Sequence, residues 1–212
     1  KPENAAFLAD NGMLCYKDYG KGTETHDMKD IKIPGMHNVE NYLTAIAVTW
    51  GKVKPETVRK IAKDIGGVEH RIEFVRELDG VKYYTNSIAS SPTRVIACLN
   101  TFPQKQIMIM GGSDKGISFE PMADLVCEKV KLLILMGQTK EKIKAAVEAS
   151  SKFADSGLEI IIVNDMAEAV NTARAKAKEG DIVSLSPACA SFDMYRMFED
   201  RGNHFKSLVN AL

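Results

Sequence analysis

The run Ser186-Pro187-Ala188-Cys189-Ala190-Ser191-Phe192-Asp193 gathers two hydroxyls among small residues directly after the apolar stretch Ile182-Val183-Ser184-Leu185. Such a run marks a strand turning into a helix, where backbone N–H groups unpaired at the helix start can hold an anion. The plainer reading is that small residues let a helix pack close to a sheet. Two other polar stretches follow apolar runs in the same way. In Thr85-Asn86-Ser87-Ile88-Ala89-Ser90-Ser91-Pro92, hydroxyls and an amide cluster before a proline suited to the first helical position, with Ser91 as N-cap. Capping needs only one of them, and the surplus suits a ligand. In Gly111-Gly112-Ser113-Asp114-Lys115-Gly116 the glycines permit close backbone approach and the lysine supplies a mobile positive charge, a pairing suited to a carboxylate or phosphate. A plain tight turn is the alternative. Neither GxxxxGK[ST] nor GxGxxG occurs anywhere, so the chain has no recognisable triphosphate cradle of its own.

Three further groups could do chemistry. In Gly35-Met36-His37-Asn38-Val39-Glu40-Asn41, the two asparagines stand three apart at a helix start and so share a face. A carboxamide offers donor and acceptor to a nucleobase edge, although Asn38 can equally cap the helix. Arg71, within Gly67-Val68-Glu69-His70-Arg71, can grip a phosphate with its planar fork or form a surface ion pair of little worth. Cys189 or Ser191 as a nucleophile would need a base within hydrogen-bond reach. With only His26, His37, His70 and His204 and no GxSxG, covalent catalysis is not expected.

The elements that must position these groups show in the hydrophobic periodicity. Residues 72–78 alternate, Asp79-Gly80 is a turn signal and residues 81–84 resume, which predicts a β-hairpin. Beyond it, helical patterns over 92–100, 119–129, 140–154, 167–178 and 192–212 alternate with apolar strands over 106–110, 132–136, 159–163 and 182–185. Continuous apolar strands between amphipathic helices predict a sheet buried on both faces, a doubly wound, mostly parallel α/β domain. Ligands gather outside the carboxyl ends of such strands, so the three polar loops are expected to be neighbours. Up to residue 33 the chain reads as short strands and turns, followed by helices over 38–51 and 54–65, the second stopped by Gly66-Gly67. A domain boundary is expected near Gly67, dividing the chain into 1–67 and 68–212.

Composition narrows the partners. Hydrophobic residues make up 45% of the chain, as in a soluble globular protein of one or two domains. Basic and acidic residues balance at 28 each, with no basic run interleaved with aromatics. No nucleic acid or anionic membrane is therefore expected as a partner, and any anion must be held locally. Cys15, Cys98, Cys127 and Cys189 show neither CxxC spacing nor a dense pattern, which argues against zinc and disulfides and for a reducing cytoplasm. No apolar run approaches the roughly twenty residues of a membrane span. The chain opens on Lys1 without a charged-then-apolar leader, and is expected to be a piece of a longer protein.

Taken together, Gly35 to Asn41, His70-Arg71, Asn86 to Pro92, Gly111 to Lys115, and Ser186 to Ser191 continuing through Arg201-Gly202-Asn203 resemble the Mur ligase family, and within it the members that add D-glutamate. The resemblance runs from about Ile33 to the end. It implies the tail of a central ATPase domain (1–67) followed by a whole C-terminal Rossmann-like ligase domain (68–212). The family's P-loop, modified lysine and magnesium ligands would lie before this sequence, so the chain alone is expected to be catalytically incomplete, with no catalytic residue of its own. The implied reaction is ATP-dependent: the carboxylate of UDP-N-acetylmuramoyl-L-alanine becomes an acyl phosphate, which the amine of D-glutamate attacks, in peptidoglycan precursor synthesis. By the same resemblance Lys115, Ser90, Ser191 and the Phe198 backbone form the D-glutamate clamp. Asn38 and Asn41 contact adenine, and Arg71 and Asn86 contact ATP. ATP and Mg2+ would be bound mainly by residues outside this chain, in a cytoplasmic monomer. One departure stands out: many members carry Asp-Ser-Lys-Ala-Thr-Asn where this chain has Asn86-Ser87-Ile88-Ala89-Ser90-Ser91, losing two charged contacts while Ser90 keeps the hydroxyl. Another amino-acid-adding relative, such as a folylpolyglutamate synthase, and a stand-alone nucleotide-binding module are the alternatives.

Overall fold

The computed structural model describes residues 4–212, which divide into two compact units meeting at Gly67 and Val68. In the first unit, β1 (Ala5–Leu8), β2 (Met13–Asp18) and β3 (Lys21–Asp27) form an antiparallel sheet in that order. Two helices follow, α1 (Met36–Thr49) and α2 (Pro55–Asp64). Val39, Tyr42 and Ile46 line one stripe of α1 and pack with Leu14, Tyr16 and Ala62 into a small core. Arg59 of α2 donates to the Thr25 carbonyl of β3 at 2.7 Å, and Trp50 stacks on Tyr16 with ring centroids 4.2 Å apart.

The second unit begins with the hairpin β4 (Glu73–Leu78) and β5 (Val81–Thr85), turned by Asp79-Gly80 with both residues at positive φ. Helices and strands then alternate: α3 (Pro92–Leu99), β6 (Gln106–Gly111), α4 (Glu120–Lys129), β7 (Val130–Met136), α5 (Lys140–Glu148), α6 (Phe153–Ser156), β8 (Glu159–Ile162), α7 (Met166–Lys176), β9 (Ile182–Leu185) and α8 (Phe198–Ala211). The six strands lie in the order β4-β5-β9-β6-β7-β8, parallel except for the β4–β5 hairpin. Both faces are covered, which is why the strands read as unbroken apolar runs. Met108, Met110, Leu133 and Leu135 face the side of α3, α4 and α5, while Ile107, Ile109, Leu132 and Ile134 face the side of α7 and α8.

The order of strands decides where the loops fall. From β6 the sheet grows outward through β7 and β8, and β9 then returns to insert between β5 and β6. That reversal is the crevice position at which open α/β sheets bind ligands. It sets the loops after β5, β9 and β6 side by side.

Two expected helices are shorter than their periodicity suggests. Residues 140–154 break into α5 and α6 around Ser150, whose hydroxyl donates to Asp124 and accepts from the Lys152 amide, competing with helical hydrogen bonding. Residues 192–197 are not helical, and α8 starts only at Phe198. There the Asp193 carboxylate accepts from Ser113 Oγ at 3.3 Å and from the Gln138 amide at 3.0 Å, and Met197 is extended at φ −152°. Tertiary hydrogen bonds outweigh the local preference. At α1 the N-cap position falls on Gly35, at φ +103°, and not on Asn38; Ser91 does occupy the N-cap of α3, but its side chain makes no capping bond among the described residues.

Candidate functional site

The loop after β9 and the loop after β6 are stitched together by backbone. The Gly111 amide donates to the Pro187 carbonyl at 2.9 Å, the Ser113 amide to the Ala190 carbonyl at 3.0 Å, and Ser113 and Ala190 form an isolated antiparallel bridge. Contact this close requires glycine. A Cβ on Gly112 would stand 2.2 Å from the Ala190 carbonyl oxygen, and one on Gly111 only 1.9 Å from that of Met136. Thr139 locks the turn from below. Its Oγ1 donates to the Gly112 carbonyl at 3.0 Å and accepts from the Gly112 amide at 3.1 Å, which leaves the Cys189 thiol, also 3.1 Å away, to donate into it.

The loop after β5 joins through one buried side chain. Arg201, on the buried stripe of α8, is fully excluded from solvent. Its Nε donates to Ser87 Oγ at 3.0 Å and its Nη2 to the Ser87 carbonyl at 2.8 Å, while Nη1 reaches the carbonyls of Cys189 and Ala190, both at 3.1 Å. Ser87 Oγ in turn donates to the Phe198 carbonyl at 2.7 Å. One guanidinium therefore holds two of the three loops and the start of α8. Among the described residues no carboxylate pairs with it. Burial pushes its pKa down to about 10, so at neutral pH it is a retained cation satisfied by carbonyl dipoles.

Above this frame lies a cavity of about 430 Å3, whose lining includes Ser90, Lys115, Ser191, Arg196, Phe198 and Glu199. The four residues expected to clamp D-glutamate thus border one space, contributed by all three loops and the first turn of α8. Among the described residues no side-chain hydrogen bond caps α8, so its opening N–H groups lack a side-chain acceptor, while Glu199 and Asp200 stand in the same first turn. Lys115 is exposed and makes no ion pair among the described residues.

Cys189 is not set up for covalent chemistry: it is 3% exposed, burial raises its thiol pKa, and Thr139 is its side-chain partner. Asn86 is buried, its amide nitrogen donating to Ser186 Oγ at 3.1 Å, and it ties the first loop to the third from inside. Arg71 is exposed beside the start of β4, with no ion pair among the described residues. Its neighbour His70 is buried at φ +62°, its ring so close to α8 that a Cβ on Gly202 would meet Nδ1 at 2.2 Å. In the first unit, Asn38 Nδ2 donates to the Pro34 carbonyl at 2.8 Å and Asn41 Nδ2 to Asn38 Oδ1 at 3.4 Å, so the two carboxamides do share a face of α1. That unit has a concavity of similar volume around Trp50, Lys52 and Pro55, and none of the expected site residues line it.

Arg201, Thr139 and Asp193 are the residues whose roles sequence reasoning missed. For Arg201 a signal existed. It falls in register with Phe198, Phe205 and Val209 on the apolar stripe, where a cation is out of place unless it is hydrogen-bonded.

Among the described residues no group of three or more His, Cys, Asp or Glu is placed to hold a metal ion. Nor is any described helix long and apolar enough to cross a membrane.

Comparison with known proteins places this architecture. The family described as "Mur ligase, glutamate ligase domain" matches residues 70–189. The UDP-N-acetylmuramoylalanine--D-glutamate ligase of Clostridium botulinum strain Hall is 49% identical over 212 residues, all of this chain and 45% of that protein's length. Among solved structures, the UDP-N-acetylmuramate-alanine ligase of Thermotoga maritima superposes with a TM-score of 0.62 at 15% identity, over 98% of this chain and 45% of its own. The folylpolyglutamate synthase of Mycobacterium tuberculosis complexed with ADP gives 0.64 at 12%, over 97% and 48%. At such identities these two establish the fold alone. With the family match extending over more than half of its residues, the chain belongs to the Mur ligase family.

Proposed function

We propose that this chain is the C-terminal part of a cytoplasmic, monomeric ligase of peptidoglycan precursor synthesis, one that joins D-glutamate to UDP-N-acetylmuramoyl-L-alanine at the expense of ATP. The observation that carries the reading is the single cavity bordered by Lys115, Ser90, Ser191 and the uncapped start of α8. A cation, two hydroxyls and helix N-terminal amides are donors only or readily act as donors, which suits carboxylates and leaves a free amine unpaired for attack. The 49% identity to a protein named for this reaction supports the same substrate, and the fold-level likeness to a folylpolyglutamate synthase does not distinguish acceptors. Because the chain spans 45% of that relative's length, the remaining catalytic parts are assigned to sequence outside it.

ATP supplies the phosphoryl group that makes the acyl carboxylate reactive. Of this chain's residues, Arg71 would meet its phosphates and Asn38 and Asn41 its base, while Asn86 would act on the nucleotide by holding the first loop. The work done at the cavity is positioning: an amine fixed at its target replaces a bimolecular encounter. In the full-length enzyme, Lys115→Ala removes one charge-assisted hydrogen bond and should raise the KM for D-glutamate about tenfold or more. Steady-state kinetics check this, and an unchanged KM would refute the assignment.

A further inference from the structure

The cavity holds more charge than the clamp uses. Two cations, Lys115 and Arg196, and one carboxylate, Glu199, line it. A dicarboxylic amino acid at neutral pH presents the opposite set, two carboxylates and one ammonium. Lys115 is a compact point charge that can neutralise one carboxylate. The second can be met by hydroxyls and helix amides alone, and a further cation would neutralise its charge; Arg196 is the one on the wall.

Its state suits that task. The Arg196 side chain is 91% exposed and its ion pair is a long i,i+4 contact, Nε to Asp200 Oδ2 at 3.5 Å, of the kind worth little. Its two Nη groups make no hydrogen bond among the described residues. The backbone around it is fixed, because Asp193 is held by Ser113 and Gln138 and the Tyr195 amide donates to the Ser191 carbonyl at 2.8 Å. Ordering this exposed side chain costs rotamer entropy, but its planar fork is pre-organised and fits a carboxylate through two parallel hydrogen bonds.

Building on the D-glutamate reading of this cavity, we propose that Arg196 leaves Asp200 to bind the carboxylate that Lys115 leaves unpaired, and thereby selects a dicarboxylate over its neutral amide. The test uses the full-length enzyme with D-glutamate and D-glutamine as acceptors, comparing Arg196→Ala, Arg196→Lys and Lys115→Ala. Arg196→Ala should raise the KM for D-glutamate about tenfold, the loss expected for a charge-assisted pair. The KM for ATP should stay constant, and the preference for D-glutamate over D-glutamine should shrink by the same factor. Arg196→Lys should recover part of it. If Arg196→Ala leaves KM and preference unchanged while Lys115→Ala raises KM, the proposal is overturned and the cavity reading stands. If neither variant changes the KM for D-glutamate, the cavity reading itself fails, and the proposal with it.

Discussion

The two edges of the six-stranded sheet treat charge in opposite ways. At the amino ends of the parallel strands, cations meet acids. Lys131 pairs with Asp181, Arg174 with Asp79, and Lys176 with Glu159 at 2.7 Å. At the carboxyl ends, Lys115 and Arg71 have no ion pair among the described residues, Arg196 keeps one long contact, and Arg201 is buried against three carbonyls and the Ser87 hydroxyl. Lys142 with Asp114 at 3.2 Å, and Lys206 with Glu69 at 2.8 Å and Glu73 at 3.0 Å beside the start of β4, are the exceptions there. An edge whose charges cancel has nothing left to attract an anion, whereas one that leaves cations open, over unpaired helix N–H groups, does. Glycine follows this division only in part, since Gly116 at the carboxyl edge also has nothing within 4 Å among the described residues and Gly80 at the amino edge would meet Glu179 Cγ at 2.6 Å. Gly111 and Gly112 are pressed against backbone at the carboxyl edge, while Gly180, in the turn before β9, has nothing within 4 Å of its built Cβ among the described residues.

The sharpest way to break the contrast is Arg201→Ala. It deletes a large buried side chain and strands the carbonyls of Ser87 and Cys189, so the second unit should lose about 3–5 kcal/mol in urea unfolding. A loss below about 1 kcal/mol would show that the guanidinium is not what holds the loops. Next in size is Gly111→Ala, which sets a Cβ at φ +114° against the Met136 carbonyl and should cost about 2–3 kcal/mol. Gly180→Ala, at φ +87° in open space, should cost about 1 kcal/mol, the backbone strain alone. Equal losses at the two glycines would erase the distinction between the edges. Smallest is Arg174→Ala, which breaks a solvent-exposed pair at the amino edge and should shift stability by about 0.5 kcal/mol or less, an effect that added salt abolishes. If it matched Arg201→Ala, the amino edge would be structural in the same sense as the carboxyl edge.

Much of the fold was legible because its cues are local. Asp79-Gly80 announced the hairpin, Pro55 and Pro92 sit in the first turns of α2 and α3, and the change from a period near 3.6 to unbroken apolar runs marked each helix and strand. Where local cues and distant partners disagree, the partners win. Residues 192–197 carry a pattern that continues a helix, yet Asp193 is claimed by Ser113 and Gln138, residues 80 and 55 positions away.

By itself the sequence determined an alternating, doubly wound α/β unit with polar, glycine-bearing loops at its strand ends, since periodicity and turn chemistry act over a few residues. Only the tertiary structure decided that β9 inserts between β5 and β6, that Arg201 faces inward, and that Ser90, Lys115, Ser191 and Phe198 border one space. Strand order and the burial of a charge depend on contacts a hundred residues apart, as between Ser87 and Arg201, and no local pattern records them.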